Sequence, residues 1–203
     1  MQPTRLAANQ EHRVLPSKMR ENRSSIPTIG GRLIRGRWAA IRNIRSKILA
    51  TLHLMVGLPF SGKTTLARKL ERECSALRLT TDEWHVLLFG QDAKEPDHDA
   101  RHTLIEAMLW KIASRALELG VNVILDFGFW AREEREDYRL RAKQLGASSE
   151  VHFLDVSKDE LFRRLEERNS QPSQETFYIS VEMVNPWIEF FQKPTPDELL
   201  RRE

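Results

Sequence analysis

The sequence predicts an α/β fold in which a parallel sheet is flanked by helices on both faces. Two observations predict it. Apolar segments of strand length alternate with longer segments of helical periodicity from residue 50 onwards, and a glycine-rich loop joins the first of these strands to the first helix. Consecutive parallel strands need a crossover connection, usually a helix, so the alternation is typical of a doubly wound sheet.

The first half of this region contains two strands and two long helices. Residues 50–56 are an apolar run of strand length, and residues 63–74 continue as a helix. Residues 77–81 form a second, shorter strand. Residues 97–119 form a long helix with apolar side chains at helical spacing, and we expect Gly120 to end it because glycine readily adopts the left-handed conformation found there.

The second half repeats the alternation. Residues 121–127 (VNVILDF) are the clearest buried strand, and residues 131–145 follow as a charged helix. Residues 150–156 form another strand and residues 158–169 another helix. Residues 172–203 add helical stretches without a clear fifth strand, so the predicted sheet has four strands.

Charge divides the chain into two parts. Residues 1–47 hold 11 of the 32 Lys and Arg residues but 2 of the 29 Asp and Glu residues, which gives them a formal charge of +9 and the remainder −6. We interpret residues 1–47 as a basic, largely disordered N-terminal extension and residues 48–203 as one globular domain. The acidic balance of the domain argues against a broad nucleic-acid-binding face.

Within the extension, apolar residues from Ile34 recur at roughly helical spacing between arginines, which indicates a candidate basic amphipathic helix. It could contact a membrane surface, a nucleic acid or the domain itself. An organelle transit peptide and an unstructured extension are alternative interpretations.

The remaining composition indicates a cytoplasmic protein. Cys74 is the single cysteine, which excludes a disulfide framework and a cysteine-rich zinc site. No run of eighteen apolar residues is present, so no transmembrane segment is expected, and no signal peptide is recognisable.

The glycine-rich loop matches the phosphate-binding pattern G-x-x-x-x-G-K-[ST]. Its two glycines let consecutive backbone N–H groups face one anion, Lys63 can reach the β- and γ-phosphates, and the Thr64 hydroxyl can bind Mg²⁺. The following helix directs its positive end at the same anion. The residues expected to bind the nucleotide phosphates are Gly57, Leu58, Pro59, Phe60, Ser61, Gly62, Lys63, Thr64 and Thr65.

ATP with Mg²⁺ is the expected cofactor pair. A GTP-binding protein needs an N-K-x-D segment late in the chain, and residues 157–160 (SKDE) lack both the Asn and the correctly placed Asp. A motor or helicase would need a longer chain, which leaves small-molecule kinases as the better match among P-loop proteins.

Three further segments resemble the AAA-domain P-loop kinase family, which includes kinases related to zeta toxins, chloramphenicol phosphotransferase and the kinase half of polynucleotide kinase. The segments are LTTDEW after the second strand, VILDFGFWAREER around the third, and DVSKDELFRRLEERN after the fourth. The resemblance covers about residues 50–200, including the closing PTPDEL. It implies transfer of the ATP γ-phosphate to a hydroxyl of a small molecule.

Two aspartates are candidates for the chemistry. Asp82 follows the second strand, and in the related kinases an Asp here accepts the proton of the attacking hydroxyl. The alternative is a helix-capping box of Thr80 and Glu83, in which Asp82 only favours the helix dipole. Asp126, at the end of the third strand, is a candidate to hold Mg²⁺ directly or through water, or otherwise a cap for the following loop.

The resemblance implies that the helix over residues 158–169 is a lid whose Arg164 and Arg168 stabilise the transferring phosphoryl group. Ordinary surface ion pairs, such as Glu160 with Arg164, are the alternative. Arg132 and Arg135 could hold an acceptor, or they could belong to an exposed helix start.

Other side chains near these segments carry weaker signals. His98 and His102 have the spacing of a metal-binding pair, but no third ligand is apparent, so metal binding is disfavoured. Trp84 and His85 are candidates for substrate contact because they adjoin Asp82, whereas Trp110 has the helical phase of a core residue.

Two other functions stay open at this point. One is a non-kinase ATP-binding switch or ATPase that acts through the basic extension. The other is a polynucleotide 5′-hydroxyl kinase, which would be favoured by a basic groove in the domain.

Overall fold

The computed structural model describes residues 49–93, 95–170 and 179–203. The predictions for the N-terminal extension, including its candidate amphipathic helix, lie outside the described residues. In the described part, no helix is both long and apolar enough to cross a membrane.

Four parallel strands form the sheet in the spatial order β2-β3-β1-β4. They are β1 (Thr51–Val56), β2 (Leu77–Thr80), β3 (Val123–Gly128) and β4 (Ser148–Phe153). The chain therefore moves outward from the central β1 in both directions, which creates a crevice at the carboxyl ends of β1 and β3 where open α/β sheets bind ligands. The predicted fold class is confirmed.

Six helices belong to the described part of the chain. They are α1 (Lys63–Glu73), α2 (Thr81–Phe89), α3 (His98–Glu118), α4 (Arg132–Gln144), α5 (Lys158–Ser170) and α6 (Val181–Phe190). Strands and helices alternate from β1 to α5, as the sequence predicts, except between β2 and β3. There the chain forms two helices, α2 and α3, where the sequence predicts one, and α2 begins at Thr81, the last residue of the predicted strand.

Two hydrophobic clusters lie on opposite faces of the sheet. Successive residues of β1 alternate between them, because side chains along a strand point to opposite faces. Leu54 belongs to the larger cluster, which also contains Leu109 of α3 and Ala142 of α4. Met55 belongs to the smaller cluster with Ala67 of α1. The helices thus hold both faces of the sheet and fix where its loops emerge.

The C-terminal segment is anchored to the edge of the sheet instead of adding a strand. Arg202 forms an isolated antiparallel bridge with Ser149 of β4. Beside it, Glu198 is 1% exposed and accepts hydrogen bonds from both Nε and Nη2 of Arg135, at 2.7 and 3.2 Å. Arg135 is itself fully buried, so its role is to hold this segment, and neither sequence interpretation of Arg135 describes it.

Candidate functional site

The glycine-rich loop leaves β1 and turns into α1. Its first residue, Gly57, donates its N–H to the Gly128 carbonyl at the end of β3, at 3.1 Å. A Cβ on Gly57 would lie 2.7 Å from Ser61 Oγ, and Gly57 and Gly62 have φ angles of +152° and +98°. Both positions therefore need glycine, because a side chain would clash at the first and strain the backbone at both.

Lys63 is the first residue of α1 and points back into the loop. Its ammonium group donates a hydrogen bond to the Leu58 carbonyl at 2.8 Å. Burial lowers the pKa of Lys63, while the nearby carboxylates of Asp126 and Asp82 oppose this shift. The ammonium group therefore lies between the loop and two acidic side chains, in the position needed to contact an anion held by the loop.

Asp126 is buried at the carboxyl end of β3, with 5% of its surface exposed. Neither carboxylate oxygen has a hydrogen-bond partner among the described residues. Burial raises the pKa of Asp126, and the adjacent Thr64 hydroxyl and Lys63 ammonium group oppose that rise. Thr64 and Asp126 fit a Mg²⁺ site, since they adjoin each other, both offer the oxygen ligands that Mg²⁺ prefers, and the Asp126 carboxylate is buried.

Asp82 lies in the first turn of α2, two residues after Thr80, which pairs with Asp126 across β2 and β3. Its charge raises the pKa values of Lys63, Asp126 and Arg168, and all four side chains line the same cavity. The capping-box alternative fails at two points. Thr80 makes no side-chain cap hydrogen bond, and Glu83 instead binds Arg78 at 2.9 Å.

The two candidate arginines lie one turn apart on α5. The Arg164 guanidinium group donates from Nη1 to the carbonyls of Phe60 and Ser61, at 3.2 and 3.1 Å, and from Nε to Glu160 at 2.6 Å. The Arg168 guanidinium group lies 5.0 Å from the centre of the Phe60 ring. Burial lowers the pKa of Arg168, and Asp82 opposes this shift. Both arginines contact the phosphate loop, but in different ways.

A large cavity of about 1430 Å³ collects these groups. Its walls come from the phosphate loop, α1, the starts of α2 and α3, the end of β3, α5 and α6. Lys63, Thr64, Asp82, Asp126, Arg164 and Arg168 all line it, together with Arg68, Lys69, Arg72, His98, Asp99, His102, Trp130 and Trp187. All six candidate catalytic and metal-binding residues therefore share one space.

A second cavity of about 510 Å³ lies on the other side of the phosphate loop, and Leu154 borders both. It is lined mainly by apolar residues of β4, α5 and α6 and the loops beside them. They include Leu58, Phe153, Val156, Leu161, Ile188 and Phe191. A narrower apolar pocket beside a phosphate loop has the character of a site for a flat ring.

Several sequence interpretations of nearby residues need revision. Trp84 packs against the larger hydrophobic cluster and does not line the large cavity, whereas Trp130 lines it and lies 5.6 Å from Trp187.

Arg132 binds Thr195 and Asp197 of the C-terminal segment. Trp110 packs edge to face on Tyr138, which agrees with its predicted core position. Trp187 was missed because its contact with Trp130 joins segments far apart in the chain.

A glycine-rich loop between β1 and α1, in a parallel sheet with the order β2-β3-β1-β4, defines a nucleotide-binding protein of the P-loop type. Within this class, the model of an AAA domain family matches residues 52–194. The chain belongs to this family. A comparison with curated proteins gives no significant match.

Solved structures with the same fold are P-loop kinases and related proteins. A chain of the Pnkp1/Rnl/Hen1 RNA repair complex is 23% identical with a TM-score of 0.58, and the match covers 70% of this chain and 44% of that one. Kti12 from Chaetomium thermophilum, solved with ADP-AlF3, is 23% identical with a TM-score of 0.52, over 72% and 82% of the two chains. A sugar kinase from Janibacter is 18% identical with a TM-score of 0.52, over 73% and 81%.

These likenesses establish the P-loop kinase fold. The chain spans less than half the length of the RNA repair protein that it resembles. Sequence identities below 25% support a shared fold and do not indicate a shared substrate. Reaction and substrate have to be argued from the site itself.

Proposed function

We propose that this protein is an ATP-dependent phosphotransferase that moves the γ-phosphoryl group of ATP to a hydroxyl of a small molecule. The observation that carries the proposal is the position of Asp82. Its carboxylate shares one cavity with Lys63 of the phosphate loop and with the buried Asp126. A protein that only bound and released nucleotide would have no need of a second carboxylate on the acceptor side of the phosphate site.

ATP would bind with its phosphates in the loop of residues 57–65 and its adenine in the 510 Å³ cavity. Backbone N–H groups of the loop and the Lys63 ammonium group would hold the β- and γ-phosphates. Thr64 and Asp126 would hold Mg²⁺, which neutralises charge on the phosphate oxygens when bound. The apolar wall of Phe153, Ile188 and Phe191 suits the flat face of a purine.

In the transfer step, the acceptor oxygen forms a bond to the γ-phosphorus while the bond from that phosphorus to the β,γ-bridging oxygen breaks. The acceptor proton passes to the Asp82 carboxylate, and ADP leaves with the bridging oxygen. Asp82 orients the hydroxyl before the step and takes its proton late, as the oxygen becomes acidic. Arg168, at the same cavity, offsets the charge that develops on the transferring group.

The dimensions and polarity of the large cavity support a small polar acceptor. Its volume exceeds what the γ-phosphate needs, and the neighbouring rings of Trp130 and Trp187 line it together with acidic and basic side chains. Such a mixture fits a hydroxylated molecule that presents one apolar face and several polar groups.

A polynucleotide 5′-hydroxyl kinase is the second candidate, and one specific observation favours it. Arg68, Lys69 and Arg72 of α1 all line the large cavity, which gives it three basic side chains from one helix. Arg68 is already paired with Glu83 at 3.2 Å, and Lys69 with Glu73 at 3.8 Å, so part of this charge is neutralised within the domain. We therefore place this candidate second.

The first prediction tests the reaction and the role of Asp82 together. The full chain is incubated with labelled ATP, Mg²⁺ and a panel of nucleosides, sugars, aminocyclitols, antibiotics and oligonucleotides with a 5′-hydroxyl. Asp82→Asn is expected to lower kcat with the acceptor that works by about 10²- to 10⁴-fold and to leave ATP affinity nearly unchanged, because the base is lost while the phosphate loop is intact.

The matched control is Asp159→Asn, since Asp159 also lies in the first turn of a helix after a strand but outside both cavities. It should behave as the wild type. ATP turnover that ignores every acceptor and is unaltered in Asp82→Asn would contradict the proposal and favour a nucleotide-dependent switch. Transfer to oligonucleotide ends alone would favour the second candidate.

A further inference from the structure

Three histidines from two helices meet at the wall of the large cavity. His98 and His102 lie one turn apart at the start of α3, and His85 comes from the middle of α2. One ring nitrogen of each histidine lies within 4.8 Å of one ring nitrogen of each of the others. The sequence disfavours a metal site at His98 and His102 for want of a third ligand, and the packing of α2 against α3 supplies one.

Carboxylates contact this histidine cluster (His85, His98 and His102) from outside. Asp92 Oδ1 lies 2.9 Å from His98 Nδ1 and also 2.9 Å from His85 Nε2. Arg101 donates to the other Asp92 oxygen at 2.7 Å and so fixes the carboxylate in place. Asp92 is 5% exposed. In metal sites, an outer carboxylate of this kind binds one ring nitrogen and sets the orientation of the other.

His102 has the same arrangement with a different acid. Its Nε2 lies 3.4 Å from Glu106 Oε1, while its Nδ1 is buried and has no hydrogen-bond partner among the described residues. A buried polar atom without a partner costs stability unless something else satisfies it. The other two histidines are close neighbours of this ring, since the His102 ring centre lies 5.7 Å from that of His85 and 6.1 Å from that of His98.

A second group of possible ligands in the described residues has imidazole nitrogens that already hydrogen bond to each other. His53 Nδ1 and His152 Nε2, on neighbouring strands, lie 2.9 Å apart and hydrogen bond to each other, with Glu150 at 3.7 Å from His53. The two imidazoles in that group already use each other's nitrogens. It therefore serves as a comparison and carries no proposal.

We propose that His85, His98 and His102 bind one divalent transition-metal ion, with Zn²⁺ as the best match. Imidazole nitrogens suit Zn²⁺ and related metals, whereas Mg²⁺ and Ca²⁺ require oxygen ligands. Three protein ligands with a fourth position open are typical of zinc sites that bind water or substrate. The metal site is distinct from the Mg²⁺ site at Thr64 and Asp126, which offers oxygen ligands.

The location suggests what the fourth position contacts. His98 and His102 line the same cavity as Asp82. An oxygen atom of the acceptor, from a hydroxyl or carboxylate group, would complete the coordination and so be held beside the transferring phosphoryl group. This last step rests on the proposed function, whereas metal binding itself does not.

The test measures metal binding without ATP or acceptor, so that it can fail or succeed independently of the kinase proposal. Tag-free full-length protein is stripped with a chelator and titrated with Co²⁺, whose visible absorption reports four-coordinate nitrogen ligation, and the Co²⁺ is then displaced with Zn²⁺. The expected result is one tightly bound ion per chain with a four-coordinate spectrum.

Variants are chosen so that the fold survives. His98→Gln and His102→Gln change partly exposed rings, whereas His85 is fully buried between helices and is left intact. The combined variant should lose the four-coordinate spectrum, and Asp92→Asn should weaken Zn²⁺ binding by about 10- to 100-fold through its outer position. His152→Gln, in the comparison group, should bind as the wild type does.

Circular dichroism and ATP binding establish that each variant is folded. Failure of the wild type to hold one ion would overturn the proposal, as would an unchanged Co²⁺ spectrum and stoichiometry in folded His98→Gln/His102→Gln.

Discussion

Arg164 and Arg168 show at the scale of single residues how the same helical spacing leads to two different contacts. Arg164 donates to two carbonyl groups of the phosphate loop, so it supports the backbone that binds phosphate. Arg168 lies over the Phe60 ring and is influenced by Asp82 across the cavity. We therefore expect Arg164 to act on nucleotide binding and Arg168 on the transfer step.

Alanine substitutions separate these roles. Arg164→Ala should raise the Kd for ATP by at least about tenfold with a smaller effect on kcat, because even one of the charged hydrogen bonds that the loop loses is worth about 1.5–3 kcal/mol. Arg168→Ala should lower kcat by about 10²-fold or more with little change in ATP affinity, since its charge is needed most in the transition state. Binding calorimetry and steady-state kinetics measure the two quantities.

Arg163→Ala is the matched control on the same helix. Arg163 is exposed and pairs with Glu160 and Glu167 at the surface, where ion pairs contribute little. It should change neither quantity. An Arg168→Ala variant with the kinetics of Arg163→Ala would exclude Arg168 from the transfer step.

At the residue scale, the phosphate loop was predictable because its chemistry requires fixed residue types at fixed spacing. The proximity of Lys63 and Asp126 was predictable for another reason: Lys63 follows the loop after β1, Asp126 lies in the carboxyl-terminal half of β3, and these two parallel strands are neighbours. The different contacts of Arg164 and Arg168 were not predictable, because they depend on how α5 packs against the phosphate loop.

At the scale of elements, the C-terminal segment depends on one buried ion pair. Glu198 and Arg135 are 1% and 0% exposed, and hydrogen bonds within the pair and to the Phe129 carbonyl satisfy Arg135. Arg139 also donates to the carbonyls of Glu198 and Leu200. The Arg135 and Arg139 side chains of α4 therefore bind the last residues of the chain against the edge of the sheet.

Removing one partner of the Arg135–Glu198 pair should show how much the stability of the domain depends on it. Glu198→Ala is expected to lower the free energy of unfolding by about 3–5 kcal/mol, because it leaves the Arg135 charge buried without a partner. Asp197→Ala, which removes a neighbouring carboxylate that is 58% exposed, should cost about 1 kcal/mol or less. Urea unfolding measures both, and equal losses in the two variants would contradict the buried pair as the anchor.

The boundaries of the strands illustrate what the pattern of apolar residues cannot predict. We predicted a strand from residue 121, whereas β3 begins at Val123. The Asn122 side chain makes two hydrogen bonds to other segments: its Oδ1 accepts from the Thr51 N–H and its Nδ2 donates to the Cys74 carbonyl. The strand predicted over residues 150–156 is shifted in the opposite direction, because β4 starts two residues earlier, at the buried, hydrogen-bonded Ser148.

At the scale of the whole molecule, the candidate site is assembled from segments far apart in the chain. The order β2-β3-β1-β4 brings the loop after β1, the start of α2 and the end of β3 to one edge. The alternation of elements predicts this edge, so Lys63, Asp82 and Asp126 could be grouped in advance. His85 could not be grouped with His98 and His102, because their contact depends on how α2 packs against α3.

The last prediction concerns the division between the basic extension and the domain. The AAA domain family model matches residues 52–194 and so includes none of the basic extension. We therefore propose that residues 48–203 fold and transfer phosphate without residues 1–47. The truncated chain should keep the thermal midpoint, the kcat and the ATP affinity of the full chain.

A comparison of the full chain with the truncated chain also tests what the extension binds. Its formal charge of +9 should give the full chain a salt-sensitive affinity for anionic vesicles or nucleic acid that the truncated chain lacks, since each neutralised charge releases counterions. Transfer activity that disappeared on truncation, in a chain that still unfolds cooperatively, would contradict an independent kinase domain. It would instead make the extension part of the active protein, as a switch acting through residues 1–47 requires.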